Sequence, residues 1–339
     1  MSARIIRLTA GAAASEVQAT LQGLGLWTQT MASSIGEPPA LVVAPHSCRV
    51  DRNALLALTG VADVLEPPSA HPRVDAQANR GVQAGPVRIG GGAPAVLIAG
   101  PCGVESEEQI HAAAALSRAA GASLLRGGAF KPRTSPYSFS GHGRPALRWL
   151  REAADAYGLG VVTEVTSETE VDAIAAVADV LQVGARSMQA FSLLKAIGGA
   201  GKPVLLKRGM AAGIEEWLLA GEHLLAAGAS GVIFCERGVS GTDSSTRYLL
   251  DLAAAALMKH VHGQPIVVDP SHGTGRRDLI LPLSRAALAA GADGILVEAH
   301  PDARQARSDG PQALPPGLLR ELGALFETRR SDEYRSRQA

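Results

Sequence analysis

Short apolar runs alternate with amphipathic segments along the chain from residue 95 onward. The intervals between the runs have helical spacing, as in Glu107–Ala120, Ile214–Ala227 and Leu279–Ala290. Eight runs rich in Val, Ile and Leu begin at positions 96, 123, 160, 180, 203, 231, 265 and 294. Near-continuous apolar runs are typical of parallel strands covered on both faces. The pattern predicts an α/β fold, a (β/α)8 TIM barrel.

A doubly wound open sheet is the alternative architecture. That fold usually has fewer strands, and a phosphate-binding glycine turn follows its first strand. The glycine-rich stretch at 90–93 does not follow a strand in this way, and it is interpreted as a turn in a short hairpin. The barrel is therefore the preferred fold.

The first 66 residues alternate differently, as short strands and helices with turn formers between them. The predicted order is strand, helix, strand, strand, helix, strand, over Arg4–Leu8, Ala14–Leu24, Trp27–Ser33, Leu41–Ala44, Asp51–Leu58 and Val61–Leu65. This βαββαβ order is typical of a small ferredoxin-like α+β domain. The predicted organisation is a small domain over 1–66, a Pro- and Gly-rich linker over 67–86, the barrel over 87–328, and a charged, disordered tail over 329–339.

Composition narrows the classes of protein to consider. The chain has 339 residues, 46% of them apolar, and a formal net charge of zero, which argues against a nucleic-acid-binding surface. No apolar run reaches the roughly 18 to 20 residues of a membrane span, and the N-terminus lacks a signal-peptide pattern. Three widely spaced cysteines, Cys48, Cys102 and Cys235, do not form a disulfide framework. We expect a cytoplasmic protein.

Polar residues come late in each predicted strand. In a closed barrel the carboxyl ends of the strands meet at one rim, so these residues should converge there. Each alone is most often a solvated or locally paired side chain. Several cations on one rim suit an anion such as phosphate, which offers oxygens for bidentate arginine contacts. The polar residues at the strand ends are Cys102, Arg126, Glu164, Arg186, Lys207, Arg208, Arg237, His272 and Glu298.

Four residues of metal-ligand type belong to the same rim: Cys102, His272, Glu298 and Asp309. One thiolate, one imidazole and two carboxylates suit a divalent transition ion such as Mn, Fe, Co or Zn. A mixed ligand set is more typical of a catalytic than of a closed structural site. Two alternatives stay open from spacing alone: Cys102 as a small buried apolar residue, and Glu298 as the partner of a rim arginine.

Eight motifs, in this order, resemble 3-deoxy-D-arabino-heptulosonate 7-phosphate (DAHP) synthases, and more narrowly their bacterial Iβ branch with an N-terminal ferredoxin-like domain. The motifs are AGPCGVES, LRGGAFKPRTSPYSF, VGARSMQ, LLKRG, CERG, VDPSHGTGRRDL, VEAHP and SDG. The resemblance covers the chain from about Val87 to Asp309, and the small domain matches in pattern only.

The resemblance implies condensation of phosphoenolpyruvate with erythrose 4-phosphate, the first step of the shikimate pathway and of aromatic amino acid biosynthesis. It implies one divalent metal ion per subunit on Cys102, His272, Glu298 and Asp309. Lys131, Glu164 and His272 are the candidate catalytic residues: from the chemistry of the reaction we expect Glu164 to orient or deprotonate the attacking water and Lys131 to be the acid–base partner. Erythrose 4-phosphate is assigned to Arg133 and Thr134. Phosphoenolpyruvate is assigned to Arg126, Lys131, Arg186, Lys207, Arg208 and Arg237.

Other hypotheses remain at this point. A 3-deoxy-octulosonate 8-phosphate synthase would use the same barrel, but the Lys131–Thr134 run favours the four-carbon aldose, because that family tends to carry an Asn-containing version of the segment. A non-catalytic regulatory barrel would have lost a ligand or a cation, and none is lost. A synthase serving a secondary-metabolite pathway also remains open. The resemblance further implies a homo-oligomer, a tetramer or dimer, and an aromatic amino acid effector at the small domain, whose alternative role is structural or in assembly.

Overall fold

The computed structural model describes residues 4–31, 38–44, 46, 48, 50–66, 68–131, 137 and 139–336, with side chains as far as Glu327. The chain divides into two compact units, Met1–Pro72 and Arg73–Ala339. No helix in the described residues is both long enough and apolar enough to cross a membrane.

The first unit is a four-stranded antiparallel sheet with two helices. Its elements are β1 (Ile5–Leu8), α1 (Ala14–Gly23), β2 (Thr28–Met31), β3 (Ala40–Val43), α2 (Arg52–Leu56) and β4 (Val61–Leu65). The sheet order is β2-β3-β1-β4, so the first strand lies inside and Ile6 pairs with both Leu41 and Val64. Leu21 of α1 and Leu55 of α2 pack in one buried cluster with the apolar side chains of the sheet. The predicted βαββαβ fold is confirmed.

The second unit begins within the segment predicted as a linker. Residues 67–86 contain helix α3 (Pro72–Gln77) and strand β5 (Val82–Ala84), and β5 pairs with β6 (Val87–Ile89) as a hairpin. The linker prediction is therefore wrong from residue 72 onward. The physical reason is burial, because these elements bring apolar side chains such as Val74 and Val82 into the core.

The hairpin turn also differs from the sequence interpretation. The turn lies between β5 and β6, so the glycine-rich stretch at 90–93 follows the hairpin instead of forming its turn.

Eight parallel strands close into a barrel, which confirms the predicted fold. The strands are β7 (Val96–Gly100), β8 (Leu124–Arg126), β9 (Gly160–Val165), β10 (Val180–Val183), β11 (Pro203–Lys207), β12 (Gly231–Glu236), β13 (Ile266–Val268) and β14 (Gly294–Glu298). The α-helices are α4 (Glu107–Ala119), α5 (Arg144–Ala156), α6 (Val171–Ala175), α7 (Phe191–Gly199), α8 (Ile214–Ala227), α9 (Leu252–His260), α10 (Pro270–Thr274), α11 (Arg277–Ala289) and α12 (Pro316–Ser336). Short 3-10 turns cover Glu168–Glu170 and Ala185–Ser187.

Alternation along the strands separates two cores. Strand side chains that face the helices, such as Phe234, join the large outer core together with helix side chains such as Trp217 of α8. Side chains such as Ile98 and Leu205 face the barrel interior, and Val82 of the hairpin packs against them. The hairpin therefore covers the end of the barrel at which the strands begin, and the opposite rim remains available for a site.

The last helix extends beyond the barrel's predicted end. The backbone of α12 is helical to Ser336, whereas the sequence predicts a disordered tail from residue 329. That prediction is wrong for 329–336, and residues 337–339 lie outside the described residues.

Candidate active site

The four residues of metal-ligand type converge at the carboxyl rim. Their ligand atoms all lie within 4.8 Å of one another. Cys102 Sγ lies 2.9 Å from Asp309 Oδ2, and His272 Nε2 lies 3.0 Å from Glu298 Oε1. Glu298 ends β14, His272 lies in the short helix α10, and Cys102 follows β7 by two residues. The sequence prediction that these residues meet at one rim agrees with this geometry.

The cluster fits a divalent transition ion by its donor chemistry. Cys102 and Glu298 are buried, whereas His272 and Asp309 are partly accessible. Asp309 adopts a positive φ of 55°, a conformation that costs free energy for a residue other than glycine and is concentrated at functional sites. An Asp tolerates it better than most residues. The structure therefore holds an acidic side chain toward the cluster at a conformational cost.

Asp269 connects the cluster to a rim cation. Its Oδ2 accepts hydrogen bonds from His272 Nδ1 at 2.7 Å and from Lys207 Nζ at 2.6 Å, while Oδ1 caps the His272 backbone N–H at 3.0 Å. Asp269 is fully buried. Burial alone would raise the pKa of Asp269, but His272 and Lys207 outweigh it and hold that pKa well below its usual range. One carboxylate thus orients an imidazole and an ammonium group together.

Charge coupling within the cluster is strong. Burial opposes protonation of His272, but the carboxylates of Asp269 and Glu298 raise its pKa to about 10. Burial likewise opposes ionisation of Glu298, and His272 and Arg126 hold its pKa well below the usual range. Gln312 Nε2 also donates to Glu298 Oε2 at 2.8 Å. Without a metal ion the cluster therefore keeps a proton on His272, which an ion would have to displace.

Two predicted cations lie directly against this cluster. Arg126 Nη1 donates to Glu298 Oε1 at 3.1 Å and to the Pro101 carbonyl at 2.9 Å, while its Nε is buried with no hydrogen-bond partner. Lys131 Nζ donates to the Cys102 carbonyl at 3.0 Å. Burial opposes both charges, yet the pKa of Arg126 is raised, chiefly by Glu298. One donor of Arg126 is thus left without a hydrogen-bond partner among the described residues.

Glu164 belongs to the same group of charges. Burial lowers the pKa values of Arg126 and Lys131, and neighbouring anions raise them. The Glu164 carboxylate contributes to that rise at both residues, together with Glu298 at Arg126 and Cys102 at Lys131. Gly184 leaves the space for this side chain, because a Cβ at Gly184 would lie only 2.0 Å from Glu164 Oε1. Glu164 is half-buried. A carboxylate therefore lies near the two cations Arg126 and Lys131.

The remaining predicted residues differ in their surroundings. Arg208 is buried against carboxylates, with Nη1 3.0 Å from both Glu236 Oε2 and Asp251 Oδ2. Arg237 is also buried, and no carboxylate within the described residues pairs with it. Arg186 is exposed in the 3-10 turn after β10. Arg208 thus has its charge balanced by the protein, whereas Arg237 does not.

The predicted aldose-phosphate residues cannot be placed in this geometry. Arg133 and Thr134 lie outside the described residues.

A family comparison agrees with this site. The sequence model of the DAHP synthetase I family matches residues 73–332 of this chain. The chain belongs to this family. The family is metal-dependent, and the four-residue cluster is the candidate metal site.

Individual members of the DAHP synthetase I family can also be compared with this chain. It is 49% identical to phospho-2-dehydro-3-deoxyheptonate aldolase of Thermotoga maritima over 241 residues, covering 71% of each chain. A solved structure of the Thermotoga maritima DAHP synthase matches with a TM-score of 0.74 and 37% identity over 98% of both chains. A 2-dehydro-3-deoxyphosphooctonate aldolase of Alkalilimnicola ehrlichii is 35% identical over 69% of this chain and 90% of its own.

These matches decide between the hypotheses drawn from the sequence. The DAHP synthase family is confirmed, and the chain is an enzyme of that family. The octulosonate alternative is not favoured, because its relatives are more distant. The non-catalytic barrel is likewise not supported.

Several residues that contact the candidate site were not identified from the sequence. Asp269 follows β13 directly, so the rule that polar residues gather at strand ends would have found it. Glu236, the last residue of β12, could have been found in the same way. Gln312 and Tyr248 lie in loops, and no spacing signal marks their contacts with Glu298 and Arg237.

Proposed function

We propose that this chain is a DAHP synthase that condenses phosphoenolpyruvate with D-erythrose 4-phosphate and water, releasing phosphate. The observation that carries the proposal is the direct contact between the candidate metal cluster and the buried cations, at Arg126 Nη1 to Glu298 Oε1, 3.1 Å. The reaction joins an enol phosphate to an aldehyde, so it needs an electrophile-activating group and an anion-binding group side by side. The two sets of residues supply these.

Cys102, His272, Glu298 and Asp309 would hold one divalent ion, with Mn, Fe, Co and Zn all suited to this ligand set. Such an ion would act as a Lewis acid toward the aldehyde oxygen. Asp269 fixes the His272 ring through Nδ1, which leaves Nε2 facing the cluster. The tautomer required of a metal-bound imidazole is thereby set by the protein.

The cations of the rim would hold phosphoenolpyruvate by its carboxylate and phosphate. Arg126, Lys207 and Arg237 are buried at the ends of three strands, where guanidinium and ammonium groups bind anions strongly because water is excluded. Arg186, exposed on the same rim, is assigned to the phosphate with them. Arg208 is assigned a supporting role, because Glu236 and Asp251 already balance its charge.

Lys131 is proposed as the proton donor. Burial opposes its charge, but the electrostatic influence of Cys102 and Glu164 raises the pKa of Lys131. A lysine with a raised pKa remains protonated at neutral pH, so it can donate a proton to the oxygen that becomes a hydroxyl when C3 of phosphoenolpyruvate bonds to the aldehyde carbon.

Glu164 is proposed to orient the water that adds to C2 of phosphoenolpyruvate. Its carboxylate lies close enough to Arg126 and Lys131 to shift their pKa values. The water's oxygen bonds to C2 while one of its protons passes to the Glu164 carboxylate. The C2–O bond to phosphate then breaks, the remaining hydroxyl proton leaves with the phosphate, and the keto group forms. Arg133 and Thr134 are proposed to bind the phosphate of the aldose.

The central experiment measures consumption of phosphoenolpyruvate after chelation, then with Mn²⁺ restored, using erythrose 4-phosphate or arabinose 5-phosphate. We expect metal-dependent turnover with erythrose 4-phosphate. Preference for arabinose 5-phosphate would assign the chain to the other substrate class. Absence of turnover with both aldoses, in protein shown to be folded and metal-loaded, would overturn the proposal. Glu164→Gln should lower turnover while phosphoenolpyruvate binding persists, and unchanged turnover would remove its role.

The small unit, Met1–Pro72, is proposed as a regulatory domain for an aromatic amino acid. The resemblance suggests this role, but Gln29 and Met31 of the exposed edge strand β2 stand near the positions at which feedback-regulated relatives are expected to carry ligand-contacting His and Ser side chains. Activity measured with each aromatic amino acid at millimolar concentration tests this, and no response would leave a structural or assembly role. We also propose a cytoplasmic homo-oligomer, a tetramer or dimer, which sedimentation analysis would test.

A further inference from the structure

Two neighbouring arginines on the rim have opposite surroundings. Arg208 follows β11 and contacts two carboxylates, at 3.0 Å each. Arg237 follows β12, and its Nη1 donates a long hydrogen bond of 3.4 Å to the carbonyl of Gly238. Only 6% of the Arg237 surface is exposed. A buried guanidinium without a carboxylate needs another source of stabilisation while it waits for an anion.

An aromatic ring supplies this stabilisation. The Arg237 guanidinium carbon lies 4.3 Å from the centroid of the Tyr248 ring, well within the range of a cation–π contact. Tyr248 itself is half-buried. A ring against one face of a guanidinium leaves the N–H groups at its edge free for bidentate contact with an anion. An opposing carboxylate would instead occupy those N–H groups.

Backbone contacts hold the ring in place. Tyr248 N–H donates to the Gly273 carbonyl at 2.9 Å, and the neighbouring Arg247 N–H donates to the Thr274 carbonyl at 2.8 Å. The Tyr248 carbonyl accepts from Thr246 Oγ1 at 2.9 Å. The segment that carries the ring is therefore joined to helix α10, which contains His272.

Gly238 makes the close approach of this segment possible. Its φ is +94°, a conformation that glycine adopts readily. A Cβ at this position would lie 2.7 Å from Tyr248 Cβ and 3.0 Å from Gly273 Cα. The residue next to Arg237 is thus one that lets the tyrosine pack against the arginine.

We propose that Tyr248 is a positioning residue that orients Arg237 for phosphoenolpyruvate and stabilises its charge when the anion is absent. The inference rests on the proposed function, in which Arg237 binds phosphoenolpyruvate. Tyr248 does not contact the substrate in this proposal. It acts by restricting the guanidinium to the orientation in which its edge faces the site.

The test compares three substitutions at two tyrosines. Tyr248→Leu removes the π face and Tyr248→Phe retains it. Tyr157→Leu makes the same change at a tyrosine directly after α5, at the end of the barrel opposite to the rim that carries the site. A desolvated cation–π contact is worth about 1 to 2 kcal/mol, which corresponds to roughly a 5- to 30-fold change in affinity. We expect Tyr248→Leu to weaken phosphoenolpyruvate binding by this factor, with Tyr248→Phe within about twofold of the unmodified enzyme.

The measurements are direct titration of phosphoenolpyruvate by calorimetry and the steady-state constants of the metal-loaded enzyme. A positioning role predicts a higher KM for phosphoenolpyruvate with kcat and the KM for the aldose nearly unchanged. A merely structural role would lower the folded fraction and change all constants together, and unfolding in urea measures this. Equal affinity in Tyr248→Leu and the unmodified enzyme would overturn the inference.

Two further arms separate this inference from others. Arg237→Met tests the proposed function alone: if phosphoenolpyruvate binding is unaffected, the assignment of Arg237 fails regardless of Tyr248. The Tyr248 ring also lies 5.7 Å from the guanidinium of Arg247, whose Nη1 is 3.4 Å from Asp309 Oδ1. If Tyr248→Leu weakens Mn²⁺ binding but not phosphoenolpyruvate binding, Tyr248 acts through Arg247 and the proposal is wrong.

Discussion

Replacing Asp269 by Asn tests whether one carboxylate couples the metal cluster to the anion-binding cations. The Oδ2 atom accepts hydrogen bonds from both Lys207 Nζ, at 2.6 Å, and His272 Nδ1, at 2.7 Å. Oδ1 accepts from the His272 backbone N–H at 3.0 Å. An Asn side chain has one acceptor oxygen, so its NH₂ group must face at least one of these donors.

Two separate losses should follow in Asp269→Asn. Lys207, with 5% of its side chain exposed, is left as a buried charge without its counterion, which costs about 3 to 5 kcal/mol of unfolding free energy. The imidazole of His272 loses its orienting partner, and such losses lower metal affinity by about 10- to 100-fold. Phosphoenolpyruvate affinity should fall as well, because Lys207 loses its position.

The assay measures Mn²⁺ affinity in chelator-buffered titrations, and unfolding free energy in urea without metal. The matched control is Asp293→Asn, at another buried carboxylate, which directly precedes β14 and contacts β13. Asp293 pairs with Lys259 Nζ at 2.5 Å and accepts from the Ile266 N–H at 3.0 Å, with 5% of its side chain exposed. Both variants should lose stability, but only Asp269→Asn should lose metal affinity.

A metal affinity in Asp269→Asn within twofold of the unmodified protein would refute the reasoning, provided that the variant is folded. An equal loss in Asp293→Asn would show that metal affinity follows general stability and not the orientation of His272.

Three other outcomes follow from the same geometry. Burial lowers the pKa of His272, but Asp269 and Glu298 raise it from 6.5 to about 10. The charge of His272 therefore stabilises the metal-free protein fully below pH 6.5, and this contribution is lost as the pH rises through about 10. Since the ion must displace this proton, and the thiol proton of Cys102 as well when it is present, the dissociation constant for Mn²⁺ should fall at least about tenfold per pH unit between roughly pH 7 and 9, and a flat profile would contradict a protonated His272. Gly184→Ala places a methyl group where the Cβ would lie 2.0 Å from Glu164 Oε1. It should lower turnover as Glu164→Gln does, with little loss of stability in urea, and unchanged kcat would show that the carboxylate is not needed there. Cys102→Ser should abolish the thiolate–cobalt charge-transfer absorption of the Co²⁺-loaded protein and weaken Co²⁺ binding at least about tenfold, whereas persistence of that band would exclude Cys102 as a ligand.

The order of the elements and the place of the site could be predicted from the chain alone. The apolar runs starting at 96, 160, 180, 203, 231 and 294 begin where the strands begin, and those at 123 and 265 begin one residue early. Because strands covered on both faces must be apolar throughout, these runs are visible without any tertiary information. Barrel closure then brings the strand ends together, which is why Cys102, His272 and Glu298 could be grouped despite their separation.

Predictions that depended on local composition were less reliable. The segment 67–86 has the Pro, Gly and polar content of a linker, yet it contains α3 and β5. Val74 and Val82 are two of the few apolar residues in this polar segment. They are buried by core side chains that are far away in sequence, so local composition does not reveal their burial. The helical backbone to Ser336 was also not evident from the charged, unpatterned tail.

Sequence by itself determined which residue types lie at the rim, because strand period and barrel closure follow from local patterns. Only the tertiary structure decided which of those charges are already paired. Arg208 and Arg237 follow consecutive strands in the same way, but one contacts Glu236 and Asp251 while the other packs against Tyr248. The physical reason is that a buried charge takes its state from neighbours on other elements, and those neighbours are brought into contact only by folding.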